Sequence, residues 1–225
     1  MNPNTQRLHQ VLSSAVRWPS SEAEHWVLSF IGAVCDHDPV AALVLFGSAI
    51  RPVRSVGDVD VLVVHSGLRP QFEQPPIDVD VRLYSEIDVD KLLGEGHELL
   101  GWALRLGRLI CERGDYWSSL QKRWLPRLPF PSPSDAEERA RKSQHLFQDL
   151  SRIGDEDAAL EQLVSMLTYR ARAALLRSGV YPASRPELPG QLLSIGEASL
   201  AHELRASMER RNATVHGMMA GKPPK

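Results

Sequence analysis

Cysteine is almost absent: Cys35 and Cys111 are the only two in 225 residues. Both fall in apolar contexts, and a pair this sparse makes neither a disulfide framework nor a thiolate metal site. A reducing cytosol is the simple expectation. An excess of charge of one sign is lacking as well. Twenty-six Lys and Arg face 28 Asp and Glu, a formal net charge of −2, so no global field draws the chain to nucleic acid or to a membrane surface. Contact with RNA would have to use a local patch. Long apolar runs are missing too, none approaching the roughly twenty residues that span a bilayer. The polar segment 1–7 leads into no apolar stretch of the signal-peptide kind. These absences predict a soluble cytoplasmic protein with no membrane partner, long enough to bury one large core or two smaller ones.

Against that background one constellation stands out. Gly47-Ser48 leaves an apolar run over 41–46, and Asp58 and Asp60 follow around a second run over 59–64. Runs of this length and β-branched content predict buried strands. Backbone N–H groups of a Gly-Ser turn, with the Ser48 hydroxyl, can cradle phosphate oxygens. Asp58 and Asp60 lie two apart on a strand, so both side chains share a face. Hard oxygen donors at that spacing suit Mg²⁺, which takes one or two carboxylates and completes its shell with water and substrate phosphates. Arg51 and Arg54 lie in the intervening loop, where a planar guanidinium could donate paired hydrogen bonds to a triphosphate. Further on, Ile77-Asp78-Val79-Asp80-Val81-Arg82-Leu83 alternates with period two. That pattern predicts a strand with Asp78, Asp80 and Arg82 on its polar face.

The order Gly-Ser, variable stretch, Asp-x-Asp on a strand resembles the signature of the polymerase-β-like nucleotidyltransferase superfamily, and most closely its minimal members. The resemblance implies a third carboxylate from a neighbouring strand, for which Asp80 is the choice and Asp78 the reserve. It implies a small mixed sheet with flanking helices, two Mg²⁺ (or Mn²⁺) ions, and ATP or another nucleoside triphosphate as substrate. After Asp80, Ser85 and Asp88 signal the start of a short helix through Leu93. A helix over 97–106 and a strand over 108–111 follow, with Gly107 as the turn. Two departures stand out. Only twelve residues, 65–76, separate the second and third strands and they end on Pro75-Pro76, so a loop replaces the helix many relatives carry there. Gly57 also stands where many relatives have Ser.

Elsewhere in this half, Ser21-Glu22-Ala23-Glu24 fits a capping box for a helix burying Trp26, Val27, Phe30, Ile31 and Val34. The tryptophans, Trp18, Trp26, Trp102, Trp117 and Trp124, all precede Pro126 and read as core rather than as base-stacking platforms. Pro126, Pro129, Pro131 and Pro133 with Ser132 and Ser134 cannot hold a helix and predict an extended spacer. The expected organisation is therefore α+β: a nucleotidyltransferase domain over 1–125, a Pro-rich linker over 126–134, and an α-helical bundle over 135–225. In the bundle, Ser134 with Glu137 starts one helix, running to Ile153. Leu160, Leu163, Val164, Leu167, Ala171, Ala174 and Leu175 mark the next at i, i+3, i+4, i+7 spacing, stopped by Gly179. A shorter helix around Leu192 and a last one over 197–218 complete a bundle of four or five.

Near the end of that last helix, Arg211-Asn212-Ala213-Thr214-Val215-His216 resembles the Arg-Asn-x-x-x-His motif of HEPN domains, bundles often found beside minimal nucleotidyltransferases. The resemblance implies that Arg211, Asn212 and His216 could form a second, ribonuclease site, with His216 moving a proton and Arg211 stabilising charge on the scissile phosphate. It also implies a homodimer through the helical half, and a possible place in a toxin–antitoxin or resistance system. In the toxin–antitoxin pairs a modified Tyr stands two residues after the His; here Met218 stands there. Two functions follow as expectations. The first is transfer of a nucleoside monophosphate, AMP from ATP above all, to a hydroxyl on a protein or small molecule, by Asp58, Asp60 and Asp80 with Gly47, Ser48 and Arg51 on the phosphates. The alternative is an HEPN-type ribonuclease regulated by the first half, or a non-catalytic nucleotide-binding module.

Overall fold

A computed structural model describes residues 12, 15–35, 39–53 and 56–220, with the side chains of 215–220 excepted. Arg54 and the His216 side chain lie outside the described residues. The chain divides into two compact units, Met1–Phe130 and Pro131–Lys225. Unit one is a mixed sheet with helices, and unit two is all helical, so the α+β architecture expected from the sequence is the one observed. Among the described residues no helix is long and apolar enough to cross a membrane.

Unit one includes α1 (Ser21–Val34), followed by β1 (Val40–Phe46), a 3₁₀ turn (Ser48–Ile50), β2 (Val59–His65) and β3 (Val79–Ser85). Helices α2 (Glu86–Gly94) and α3 (Glu98–Leu106), strand β4 (Arg108–Glu112) and α4 (Tyr116–Trp124) follow. The strands lie in the order β3-β2-β1-β4; β1 is antiparallel to both neighbours, whereas β2 and β3 are parallel. Every residue of β1 is buried, which is why it reads as a continuous apolar run rather than an alternation. Leu43 and Leu45 pack with Val59, Val61 and Val63 against Val27, Phe30 and Ile31 of α1. The residues between them face the other way, where Phe46 meets Trp102 of α3 edge-on at 6.1 Å. Trp102 and Trp117 are buried, and Trp26 stacks on Phe30 at 4.8 Å, so these tryptophans serve the core. The segment between β2 and β3 contains no helix.

In unit one, two expectations need correction. The cap of α1 is Ser20, whose hydroxyl accepts from Ala23 N–H at 3.0 Å, one residue before the Ser21 box. More consequential, Cys35 and Cys111 form a disulfide, with Cα atoms 5.9 Å apart. Cys35 caps the C-terminal end of α1 and Cys111 lies in β4. A pair 76 residues apart gives no sequence signal until α1 is laid on the sheet beside β4. The two cysteines therefore lend no support to a reducing compartment.

Unit two comprises α5 (Pro133–Ile153), α6 (Glu156–Arg177), a 3₁₀ turn (Arg185–Glu187), α7 (Leu188–Ser194) and α8 (Ala198–Ala220). Ser132, not Ser134, caps α5, because Pro133 takes the first helical position, where its missing N–H costs nothing. Gly154 ends α5 with φ +78°. The stripe expected on α6 forms the core: Leu167, Ala171 and Leu175 meet Leu188 and Leu192 of α7 and Ala201 and Leu204 of α8.

Candidate active site at one end of the sheet

The antiparallel register of β1 with β2 pairs Phe46 with Asp60, and the parallel register of β2 with β3 pairs Asp60 with Asp80. Paired residues on adjacent strands point to one face. The end of β1 and the heads of β2 and β3 thus form a row, with the Gly47-Ser48 turn at one end and Asp80 at the other. Asp58 immediately precedes β2 and is exposed.

Gly47 is the tightest point of this row. Its φ is +81°, a conformation L side chains rarely adopt, and a Cβ there would stand 1.8 Å from Asp60 Oδ2. The carboxylate therefore lies directly against the Gly47 backbone. Ser48 opens the 3₁₀ turn, and its carbonyl accepts from Arg51 N–H at 3.1 Å, which closes the turn.

Asp60 is the electrostatic centre. Its pKa is pushed from 3.8 up to about 7, first by burial, then by the charges of Asp58 and Asp80, with Arg82 pulling the other way. A desolvated carboxyl facing the charges of two others makes a site whose negative charge a cation would offset. Asp80 already has one partner. Arg82, two residues on and on the same face of β3, donates from Nε at 2.9 Å and Nη2 at 2.5 Å to Asp80 Oδ2. Asp78 is held elsewhere, accepting from the Ser20 hydroxyl at 2.5 Å. It joins the acidic residues near the N-terminus of α1, where negative charge is favoured.

The donor chemistry fits a divalent metal in a particular way. Among the described residues no three His, Cys, Asp or Glu side chains converge as a ready cage. An ion held by one or two carboxylates and completed by substrate oxygens, as Mg²⁺ commonly is, suits the arrangement. The Arg82 clamp on Asp80 escaped the sequence reading, although the Asp-x-Arg spacing on an alternating strand carries the signal. The Ser20 contact with Asp78 has no such signal, because it joins residues 58 apart.

In unit two, Arg211 and Asn212 lie on α8. Arg211 Nη2 donates to Asn212 Oδ1 at 3.3 Å, and Arg211 Nε stands 3.6 Å from Glu161 Oε1 of α6. The α8 backbone continues through His216.

No protein-family model matches the chain, and no curated protein does. Among solved structures, the chain is similar to the crystal structure of a nucleotidyltransferase-like protein from Exiguobacterium sibiricum. The identity is 18%, the match covers 91% of this chain and 81% of that one, and the TM-score is 0.32. A superposition that loose carries no argument about residues or chemistry.

Proposed function

We propose that unit one is a nucleotidyltransferase that moves a nucleoside monophosphate, AMP from ATP in the first instance, onto a hydroxyl of a protein or small molecule. The observation that carries this reading is the contact of Asp60 with the Gly47 backbone, where burial first, and then the charges of Asp58 and Asp80, push its pKa to about 7. A phosphate-cradling turn and a metal-hungry carboxylate are then adjacent, as the reaction requires. Gly47 N–H and the Ser48 hydroxyl would hold the triphosphate tail, with Arg51 neutralising charge on it. Asp58 and Asp60 would hold Mg²⁺, and Asp80 would share it once released by Arg82. The acceptor oxygen would bond to the α-phosphorus as the bond to the leaving pyrophosphate breaks, and the metal, when bound, would supply Lewis-acid stabilisation of that displacement. Asp80, as a base, would assist removal of the acceptor's proton.

The test is incubation of the protein with Mg²⁺ and α-labelled ATP, alone and with candidate acceptors. Label must be transferred by the wild type and lost in the Asp58→Ala/Asp60→Ala variant. RNA cleavage that survives this double change and disappears in His216→Ala would instead favour a ribonuclease in unit two. Arg211 beside Asn212 on α8 keeps that second reading specific enough to test.

A further inference from the structure

A cavity of about 530 Å³ opens along β3 beyond the carboxylate row, lined by His65, Arg69, Arg82, Tyr84, Ser85 and Asp88 together with aliphatic side chains of the same strand. Its size is that of sites for small organic molecules. The lining carries two guanidiniums against one carboxylate, with two hydroxyls and an imidazole beside them. Arg69 is exposed and makes no ion pair among the described residues. His65 is only 8% exposed, and its Nδ1 is buried without a hydrogen-bond partner among the described residues. A buried polar ring on the wall of a basic cavity points to a polar ligand. Tyr84, on the same wall, meets His97 edge-on at 5.7 Å.

Arg82 belongs to both places. Its Nε and Nη2 donate to a single oxygen of Asp80, while the same side chain lines the cavity. A guanidinium has five N–H donors, so a tetrahedral dianion in the cavity can engage those Asp80 leaves over and compete for the rest.

We propose that this cavity binds the phosphate group of a small phosphorylated molecule through Arg69 and Arg82, and that Arg82 is shared between this phosphate and Asp80. Occupancy draws the guanidinium from Asp80 and exposes its carboxylate. On the transferase reading, that readies Asp80 for the metal only when the second ligand is in place. The binding itself does not rest on that reading.

The experiment is isothermal titration of the full chain with ribose 5-phosphate, and separately with inorganic phosphate, in metal-free buffer containing EDTA. Wild type should bind the sugar phosphate with a sub-millimolar Kd. Arg69→Gln should weaken binding about ten-fold, as loss of a charge-assisted hydrogen bond does. Asp80→Asn should tighten binding several-fold, because Arg82 is no longer held by a charge. Arg51→Gln, at the Gly47-Ser48 turn, should leave Kd unchanged. An Asp80→Asn variant that binds no more tightly than wild type overturns the sharing of Arg82. Loss of binding in Arg51→Gln with no effect of Arg69→Gln places the phosphate at the turn and overturns the cavity, as does the absence of binding at millimolar ligand. Inorganic phosphate binding as well as ribose 5-phosphate would overturn recognition of a phosphorylated molecule as a whole. Because no metal or turnover is involved, a failed transferase assay leaves this pattern readable, and the converse also holds.

Discussion

Gly47 is a residue for which no substitute fits. Any side chain there meets Asp60 Oδ2 and must also hold φ at +81°. Gly47→Ala should therefore cost roughly 2 kcal/mol or more, read as a lowered urea midpoint. Combining it with Asp60→Ala should recover part of that loss, since the clashing carboxylate is gone; purely additive losses would place the strain elsewhere. Asp60 itself ties stability to pH. Its folded pKa of about 7 lies above the unfolded 3.8, so between these values the native state binds more protons than the unfolded one. Stability from this group must then fall as pH rises from about 4 to about 7, and level off above. At 1.36 kcal/mol per decade the full span is on the order of 4 kcal/mol, which residual hydration of the site reduces to roughly 2. Asp60→Asn should flatten the metal-free profile over that window, measured by urea unfolding at successive pH values. For the same reason Mg²⁺ should raise the melting temperature more at pH 8 than at pH 6, since at the lower pH it must displace a proton.

At the scale of elements, Ser20 joins two jobs that are usually separate. It caps α1 through Ala23 N–H and donates to Asp78 at the entrance of β3. Ser20→Ala should cost about 1–2 kcal/mol, above an exposed cap alone, and Ser20→Asp should not rescue it because it sets two carboxylates together. The thermal midpoints of the two variants measure this. Strand and helix identities were legible because each has its own period: continuous apolar β1, alternating β3, a 3.6-residue stripe on α6. The cap of α2, Ser85, was legible as well, but those of α1 and α5 were not, because Pro19-Ser20-Ser21 and Ser132-Pro133-Ser134 each offer two hydroxyls and only the backbone chooses between them. The carboxylates could be set on their strands from alternation alone, Asp58 and Asp60 about the head of β2 and Asp80 in β3. Their common row could not, since it depends on the register of three strands. Arg82 lay in plain view two positions from Asp80, but the ion pair is a choice of rotamer that spacing permits without dictating.

Over the whole molecule, all five tryptophans belong to unit one, so indole fluorescence reports that unit while far-UV circular dichroism also follows the bundle. The Cys35–Cys111 bridge lies in the same unit. Closing a loop of this length removes denatured-state entropy worth about 4 kcal/mol at 25 °C in the chain-entropy treatment. Dithiothreitol, or Cys111→Ser, should therefore lower the urea midpoint seen by fluorescence and leave the part of the dichroism transition due to unit two in place. Equal movement of both signals would mean the units unfold as one. The bridge lay beyond sequence reading because two half-cystines say nothing of each other until a helix end is laid beside a sheet edge.

The same bridge has a mechanical consequence. Cys35 and Cys111 enclose Gly47, Ser48, Asp58, Asp60 and Asp80 in a covalent ring. If the chain is pulled by its two ends, tension crosses from sulfur to sulfur and bypasses the ring. Complete extension would then fall short by roughly 250 Å, at about 3.4 Å for each of the residues withheld. Reduction would restore that length to the tether, and only then would a pulling force reach the carboxylates.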